Sequence, residues 1–160
     1  MRVGIGYDVH RLAAGQRLVL GGVEIPSPKG LTGWSDADVL THAIIDALLG
    51  AAALGDIGSH FPPGDPRYKD ISSLVLLGKT GDMLKENGYR VGNIDATVVA
   101  EQPKLADFIP GMRKQLSRTL GIAATSVSVK ASTSERLGIA GRGEGMIAWA
   151  VATIIEIEQK

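Results

Sequence analysis

The stretch MIAWAVATIIEI, residues 146–157, decides the fold because it is apolar on both alternating faces. A period of two puts Met146, Ala148, Ala150, Ala152 and Ile154 on one side, and Ile147, Trp149, Val151 and Ile155 on the other. Such a strand suits a position covered by protein on both sides. Helices of the same chain can cover one side. The other side then needs another subunit, so the pattern predicts an oligomer.

Outward from this strand, Val3, Ile5, Tyr7 and Val9 alternate with smaller or polar residues and predict an opening strand. Leu18-Val19-Leu20 and Val23-Glu24-Ile25 flank Gly21-Gly22 as a hairpin. Ser35 or Asp36 is placed to cap a helix in which Val39, Leu40, Ala43, Ile44, Ala47 and Leu48 recur at helical spacing, as far as about Leu54. From Asp56 to Asp70 the residues Gly58, Pro62, Pro63, Gly64 and Pro66 predict a long loop without regular structure, and long loops in compact domains are often functional. A second helix is expected over 72–87, a strand over 89–100, a third helix between Pro103 and Leu120, and a strand over 127–131, followed by a glycine-rich turn. The expected fold class is α+β, a mixed β-sheet with helices packed on one face, in a single domain spanning 1–160.

The 160 residues are 44% hydrophobic and 21% charged, with 17 Lys+Arg against 17 Asp+Glu, which matches an ordinary globular domain able to build a core without staples. A balanced charge argues against nucleic-acid or membrane partners, and 4% aromatics leave no platform for stacking bases. Without cysteine there is no disulfide, thiol nucleophile or Cys-held zinc, so a metal must be held by His and carboxylates. Asp8 interrupts the first residues before a signal-peptide core can form, and no run reaches roughly 18 apolar residues; a cytoplasmic location is the expectation.

His10 lies two positions from Asp8, so on one strand both side chains share a face, as metal ligands could. Alone, this motif suits a polar pair on a solvated face better. His42 sits in an apolar helix with Asp38 and Asp46 at i−4 and i+4, where a carboxylate can orient a ligating imidazole; a satisfied core histidine is the competing reading. Together Asp8, His10 and His42 make a two-His, one-carboxylate set with an open position, suited to zinc or another transition ion. His60 reads as an exposed loop histidine. Ser132-Thr133-Ser134-Glu135-Arg136, leading into Gly138, Gly141, Gly143 and Gly145, offers hydroxyls, a carboxylate and close backbone approach, suited to phosphates with a hard cation. A tight hairpin loop explains the same spacing. Lys104 and Arg142 are candidate phosphate partners, although surface cations are more commonly just solvated.

Four blocks, Gly6-Tyr7-Asp8-Val9-His10, Ser35-Asp36-Ala37-Asp38-Val39 followed by His42, Gly55-Asp56-Ile57-Gly58 and Gly141-Arg142-Gly143-Glu144-Gly145, together resemble one family. It is the 2-C-methyl-D-erythritol 2,4-cyclodiphosphate synthases of the non-mevalonate isoprenoid pathway, and the similarity runs in order along essentially the whole chain. The resemblance implies a phosphorus–oxygen lyase. The 2-phosphate of 4-diphosphocytidyl-2-C-methyl-D-erythritol 2-phosphate attacks the β-phosphoryl group, closes a ring and expels CMP. No protein nucleophile is needed, since positioning and charge neutralisation carry such a step.

The resemblance further implies Zn2+ on Asp8, His10 and His42, and Mg2+ or Mn2+ between the diphosphate and Glu135. Asp8, His10, Trp34 and Ser35 would contact substrate; Asp56, Ile57 and Gly58 would hold the methylerythritol hydroxyls, with the Phe61 to Asp65 loop closing over them. Ala100, Pro103, Lys104, Leu105 and Ala106, with Ser132, Thr133 and Glu135, would cradle the cytidine and its phosphates, Thr133 beside the transferring phosphoryl. The implied assembly is a homotrimer whose sheets face the threefold axis, with each site between neighbouring subunits. Ile139 and Arg142 would lie on the axis side, where an isoprenoid diphosphate is one candidate occupant. Two departures stand out: Trp34 replaces the commoner His, so position 34 can donate one hydrogen bond but carry no charge, and Pro63-Gly64 replaces a more polar pair. Two other classes compete, a metal-dependent nucleotide-diphosphate phosphohydrolase and a non-catalytic oligomeric module with a structural metal.

Overall fold

The computed structural model describes residues 1–158. Its strands are β1 (Arg2–Ala14), β2 (Leu18–Leu20), β3 (Val23–Ile25), β4 (Lys29–Thr32), β5 (Tyr89–Val99), β6 (Val127–Ser132) and β7 (Gly145–Glu156). The helices are α1 (Val39–Ala52), α2 (Ile57–His60), α3 (Ser73–Glu86), α4 (Ile109–Leu120) and α5 (Gly138–Gly141), with short 3-10 turns at Pro66–Tyr68, Ala106–Phe108 and Ala124–Ser126. The doubly apolar stretch is β7, the middle of a five-stranded sheet ordered β4-β1-β7-β5-β6. Only β5 and β6 run parallel, so the sheet is mixed, and β2 and β3 form a separate ribbon.

Met146, Ala148, Ala150, Ala152 and Ile154 of β7 are buried beneath a layer in which α1 lies over β1 and β7, α3 over β5 and α4 over β6. The opposite sheet face carries Trp149 and Val151 beside Val3, Ile5, Tyr7 and Val9 of β1, all exposed, with the Tyr7 and Trp149 rings 4.6 Å apart. The helices therefore occupy one face, as the alternation predicts.

The apolar alternation of β1 points away from the helices. Its inner face begins with glycine: a Cβ on Gly6 would stand 1.8 Å from the Ala43 carbonyl oxygen, and one on Gly4 would stand 2.1 Å from that of Ala47. Bare backbone at Gly4 and Gly6 lets the alanine row of α1 settle directly on the strand. The next residues on the same face, Asp8 and His10, are thereby brought to the first turn of α1, where His42 projects.

Three local expectations are corrected. The N-cap of α1 is Asp38, not Ser35 or Asp36, because its carboxylate accepts from the Thr41 backbone N–H. It also accepts from the N–H groups of Gly21 and Gly22, at 2.9 and 2.8 Å, where positive φ angles of 56° and 73° make the hairpin turn; one buried carboxylate ties hairpin to helix. The 56–70 loop holds the short helix α2, capped by Asp56, and the turn over 66–68, capped by Asp65. The glycine-rich turn before β7 likewise contains α5.

Candidate metal centre and active site

Asp8 Oδ2 lies 3.0 Å from His10 Nε2 and 3.1 Å from His42 Nδ1, and the two ring nitrogens are 3.2 Å apart. The remaining nitrogens settle the tautomers. His10 Nδ1 is 2.8 Å from the Thr32 carbonyl of β4, which can only accept, so the proton is on Nδ1. His42 Nε2 is 2.8 Å from Ser73 Oγ, whose hydroxyl donates to Asp36 Oδ1 and must therefore accept from the ring. The His10 Nε2 and His42 Nδ1 lone pairs thus converge on the Asp8 carboxylate.

Three converging donors repel one another unless a cation stands among them. Tetrahedral zinc, with bonds of about 2.0–2.1 Å, places its ligand atoms about 3.3 Å apart, close to the spacings here. Side-chain exposures of 18% for His10, 11% for His42 and 25% for Asp8 leave the cluster partly open to solvent. When a proton and not a cation stands among these atoms, burial opposes ionisation of Asp8, but hydrogen bonds and charge from His10 and His42 outweigh it and hold its carboxyl well below the usual range. Burial likewise opposes a charge on His10, yet the Asp8 carboxylate pushes its pKa up. The donor set fits a divalent transition ion.

Neither carboxylate one turn away orients His42. Asp38 is spent on capping, and burial pushes its carboxyl up against the hydrogen bonds from Thr41 that pull it down. Asp46, also raised by burial, accepts from the Ile57 N–H at 2.7 Å and fastens the start of α2 beside α1. The group that meets His42 Nε2 is the hydroxyl of Ser73, from the start of α3.

Residues 56–65 adjoin this cluster through Asp46. Asp56 Oδ1 accepts from the N–H and hydroxyl of Ser59; Asp56 and Gly58 are exposed and Ile57 half-buried. Phe61 is buried edge-on against Tyr68, which makes it an anchor of the loop. His60 is half-buried, not exposed as expected, and donates from Nε2 to the Leu54 carbonyl, away from the metal residues. Trp34 Nε1 donates to the Asp65 carbonyl at 2.9 Å, while the Trp34 carbonyl accepts from the Asp70 N–H. The exposed Arg67 forks onto the Asp65 carboxylate. Ser35 Oγ lies 3.2 Å from His42 Nε2.

The second group of residues stands apart. Ala100 donates its N–H to the Ser132 carbonyl, which sets the segments after β5 and β6 side by side. Ala100 and Leu105 are buried, Pro103 is half-buried, and Lys104, Ala106, Ser132, Thr133 and Glu135 are exposed. Thr133 Oγ1 donates to Glu135 Oε1 at 3.0 Å, and Glu135 takes a positive φ of 50°. Glu101, which sequence reasoning missed, holds this turn by accepting from the N–H groups of Ser134 and Arg136 at 2.8 and 3.2 Å. Arg142 is paired with Glu144, and Ile139 is exposed. Through β7, Asp8 registers with Ala148 and Ala148 with Val98, so both groups sit at one end of the sheet. Two and three strand spacings separate β1 from β5 and β6, about 10 and 14 Å.

Residues 1–155 match the model of the YgbB family. The chain belongs to this family. The 2-C-methyl-D-erythritol 2,4-cyclodiphosphate synthase of Dehalococcoides mccartyi (strain CBDB1) is 64% identical over 156 residues, 98% of this chain and 99% of its own length. That of Moorella thermoacetica (strain ATCC 39073 / JCM 9320) is 56% identical over 158 residues, 99% of this chain and 97% of its own. Among solved structures, IspF of Plasmodium falciparum in its CDP complex aligns with a TM-score of 0.86 at 31% identity, over 98% of this chain and 97% of that one. The bifunctional IspDF of Campylobacter jejuni aligns at 0.94 and 40% identity over 98% of this chain, which spans 42% of that longer protein.

In this YgbB-family chain the Trp34 indole N–H is committed to the loop carbonyl of Asp65. A Trp34→His exchange removes a tether and installs a group that gains charge near pH 6.5. The expected result is a looser 61–70 segment, read as faster amide hydrogen exchange there, with the rate relative to wild type rising as pH falls toward 6. Unchanged exchange would show that the indole packs without tethering.

Proposed function

We propose that this chain is a 2-C-methyl-D-erythritol 2,4-cyclodiphosphate synthase, which converts 4-diphosphocytidyl-2-C-methyl-D-erythritol 2-phosphate to the cyclic diphosphate and CMP in the non-mevalonate isoprenoid pathway. The observation that carries the reading is the convergence of Asp8, His10 and His42 with one position open, in a chain 64% identical to a synthase of that name over 98% of its length. A divalent transition ion there, which we read as zinc, would supply Lewis-acid neutralisation of phosphate charge. The chain itself supplies position. Asp56, Ile57 and Gly58 hold the sugar hydroxyls, with Ser35 and Trp34 at the margin and the 61–65 segment over them. Ala100 to Ala106, with Ser132 and Thr133, hold the cytidine and diphosphate, and Glu135 holds Mg2+ or Mn2+. Folding the substrate so that its 2-phosphate meets the β-phosphorus replaces a bimolecular encounter with an intramolecular one. Excluding water leaves that phosphate as the nucleophile that attacks the β-phosphorus.

The separation of the two residue groups in one chain supports a shared site, in which the metal half of one subunit faces the nucleotide half of the next. The exposed apolar face of β1 and β7 supports a homotrimer that buries it. Single-domain organisation over 1–160 and a cytoplasmic location belong to the same reading, and no helix among the described residues is long and apolar enough to cross a membrane.

The discriminating substrate lacks the 2-phosphate. A cyclase releases no CMP from 4-diphosphocytidyl-2-C-methyl-D-erythritol, whose nucleophile is missing, whereas a phosphohydrolase using water releases it. A structural metal would call for a closed set of four ligands, and the cluster contains three among the described residues. For the second cation, Glu135→Gln keeps the shape but loses the charge that a hard ion prefers, so the magnesium concentration giving half-maximal rate should rise about tenfold while zinc content stays level. An unchanged magnesium titration would confine Glu135 to supporting the turn.

A further inference from the structure

The hydrogen bonds around His42 continue past the metal residues. Its Nε2 meets Ser73 Oγ at 2.8 Å; Ser73 is fully buried, and its hydroxyl donates to Asp36 Oδ1. Asp36 Oδ2 accepts from the Ser73 backbone N–H at 2.9 Å, while its Oδ1 also accepts from the Asp38 N–H. Ser72, the residue at the N-cap of α3, makes no side-chain capping bond, so Asp36 caps α3 from another segment. The Asp36 N–H donates in turn to the Ile71 carbonyl. The loop before α1 and the first turn of α3 are thus clasped together, and the clasp ends on the imidazole.

We propose that Ser73 and Asp36 are positioning residues of the metal centre, holding the His42 ring in one orientation with its proton on Nε2 and its Nδ1 lone pair facing Asp8 and His10. The direction of the chain of bonds carries the inference. A carboxylate can only accept, so Ser73 must donate to it, and Ser73 Oγ, with its one proton committed, can only accept from His42. Ser35 Oγ, at 3.2 Å, is the more distant of the two hydroxyls near Nε2 and already accepts from the Ala37 N–H. Without Ser73 the ring can turn or shift its proton to Nδ1, and either change removes a ligand. Such outer hydrogen bonds typically sustain 10–100-fold of metal affinity. The inference rests on the reading of Asp8, His10 and His42 as a metal centre.

The test is equilibrium zinc binding to the full-length, metal-stripped chain, measured by competition with a chromophoric chelator, with Co2+ absorption as a report on ligand geometry. Ser73→Ala retains the backbone N–H that Asp36 caps, so α3 keeps its start. Zinc affinity should fall 10–100-fold, and the visible Co2+ bands should change in position or intensity. Asp36→Asn, whose carboxamide oxygen can still accept from Ser73, should give a smaller loss with the same sign, and it stands in should the alanine variant fail to fold. Wild-type affinity and an unaltered Co2+ spectrum in a folded variant would overturn the proposal. A wild-type chain that binds no zinc would instead overturn the metal centre itself.

Discussion

His42→Ala should abolish turnover and leave the chain folded. In the proposed metal centre the imidazole is one of three ligands, and such a centre's stabilisation of phosphoryl charge is worth several kcal/mol, so the rate should fall by about a thousandfold or more. The fold does not depend on that imidazole. α1 is buried between the sheet and α3 along most of its length, its cap is Asp38, and its contact with β1 runs through Gly4 and Gly6. Removing the ring leaves a small gap and a Ser73 hydroxyl with one partner fewer, a loss of about 1–3 kcal/mol. Zinc content, circular dichroism and turnover, measured on one preparation, should show metal and activity lost together with the helical signal intact. Full activity in the metal-depleted variant would contradict the metal assignment.

Asp8, His10 and His42 are at one end of the sheet on β1 and α1, while Ala100 to Ala106 and Ser132 to Glu135 sit two and three strands away in the same chain. With sites at interfaces, each needs an intact metal half from one subunit and an intact nucleotide half from its neighbour. His42→Ala and Glu135→Ala chains, each nearly inactive alone, should therefore recover activity when unfolded together and refolded. With random mixing, half of the metal positions and half of the nucleotide positions are intact, so about one quarter of the sites are restored. Sites built within one chain cannot be rescued, because every chain carries one lesion. Mixed trimers verified by mass spectrometry that stay as inactive as both parents would place the site within the subunit.

Much of the architecture was legible because it follows from alternation. The parity of Asp8 and His10 put both on one face of β1, and the helical run around His42 supplied the third member of the cluster. The two apolar faces of β7 foretold one layer of helices on one side, and the other side is the exposed face of Trp149 and Val151. Other features carried no local signal. Val3, Ile5, Tyr7 and Val9 identify a strand, but that this apolar row faces outward follows only from the way Gly4 and Gly6 admit α1. The sequence offers carboxylates one helical turn away as partners of His42; its Nε2 instead meets a hydroxyl 31 positions later in the chain, brought there by the packing of α3 on α1. β4 is four residues long, Lys-Gly-Leu-Thr, too short to show a period, yet its Thr32 carbonyl sets the His10 tautomer. Glu101, which holds the Thr133 turn through two backbone N–H groups, lies 33 residues from the nearer of them.

The central claim is that the chain closes a ring, and the product itself shows whether it does. Phosphorus NMR of 4-diphosphocytidyl-2-C-methyl-D-erythritol 2-phosphate incubated with the zinc- and magnesium-loaded protein resolves the alternatives directly. The expected result is loss of the 2-phosphate monoester resonance in step with the appearance of CMP and of two mutually coupled phosphorus signals, neither of them a terminal phosphate. A product mixture that retains the 2-phosphate monoester and gains a second terminal phosphate beside CMP would mean that water is the nucleophile, and that the site hydrolyses what it is expected to cyclise.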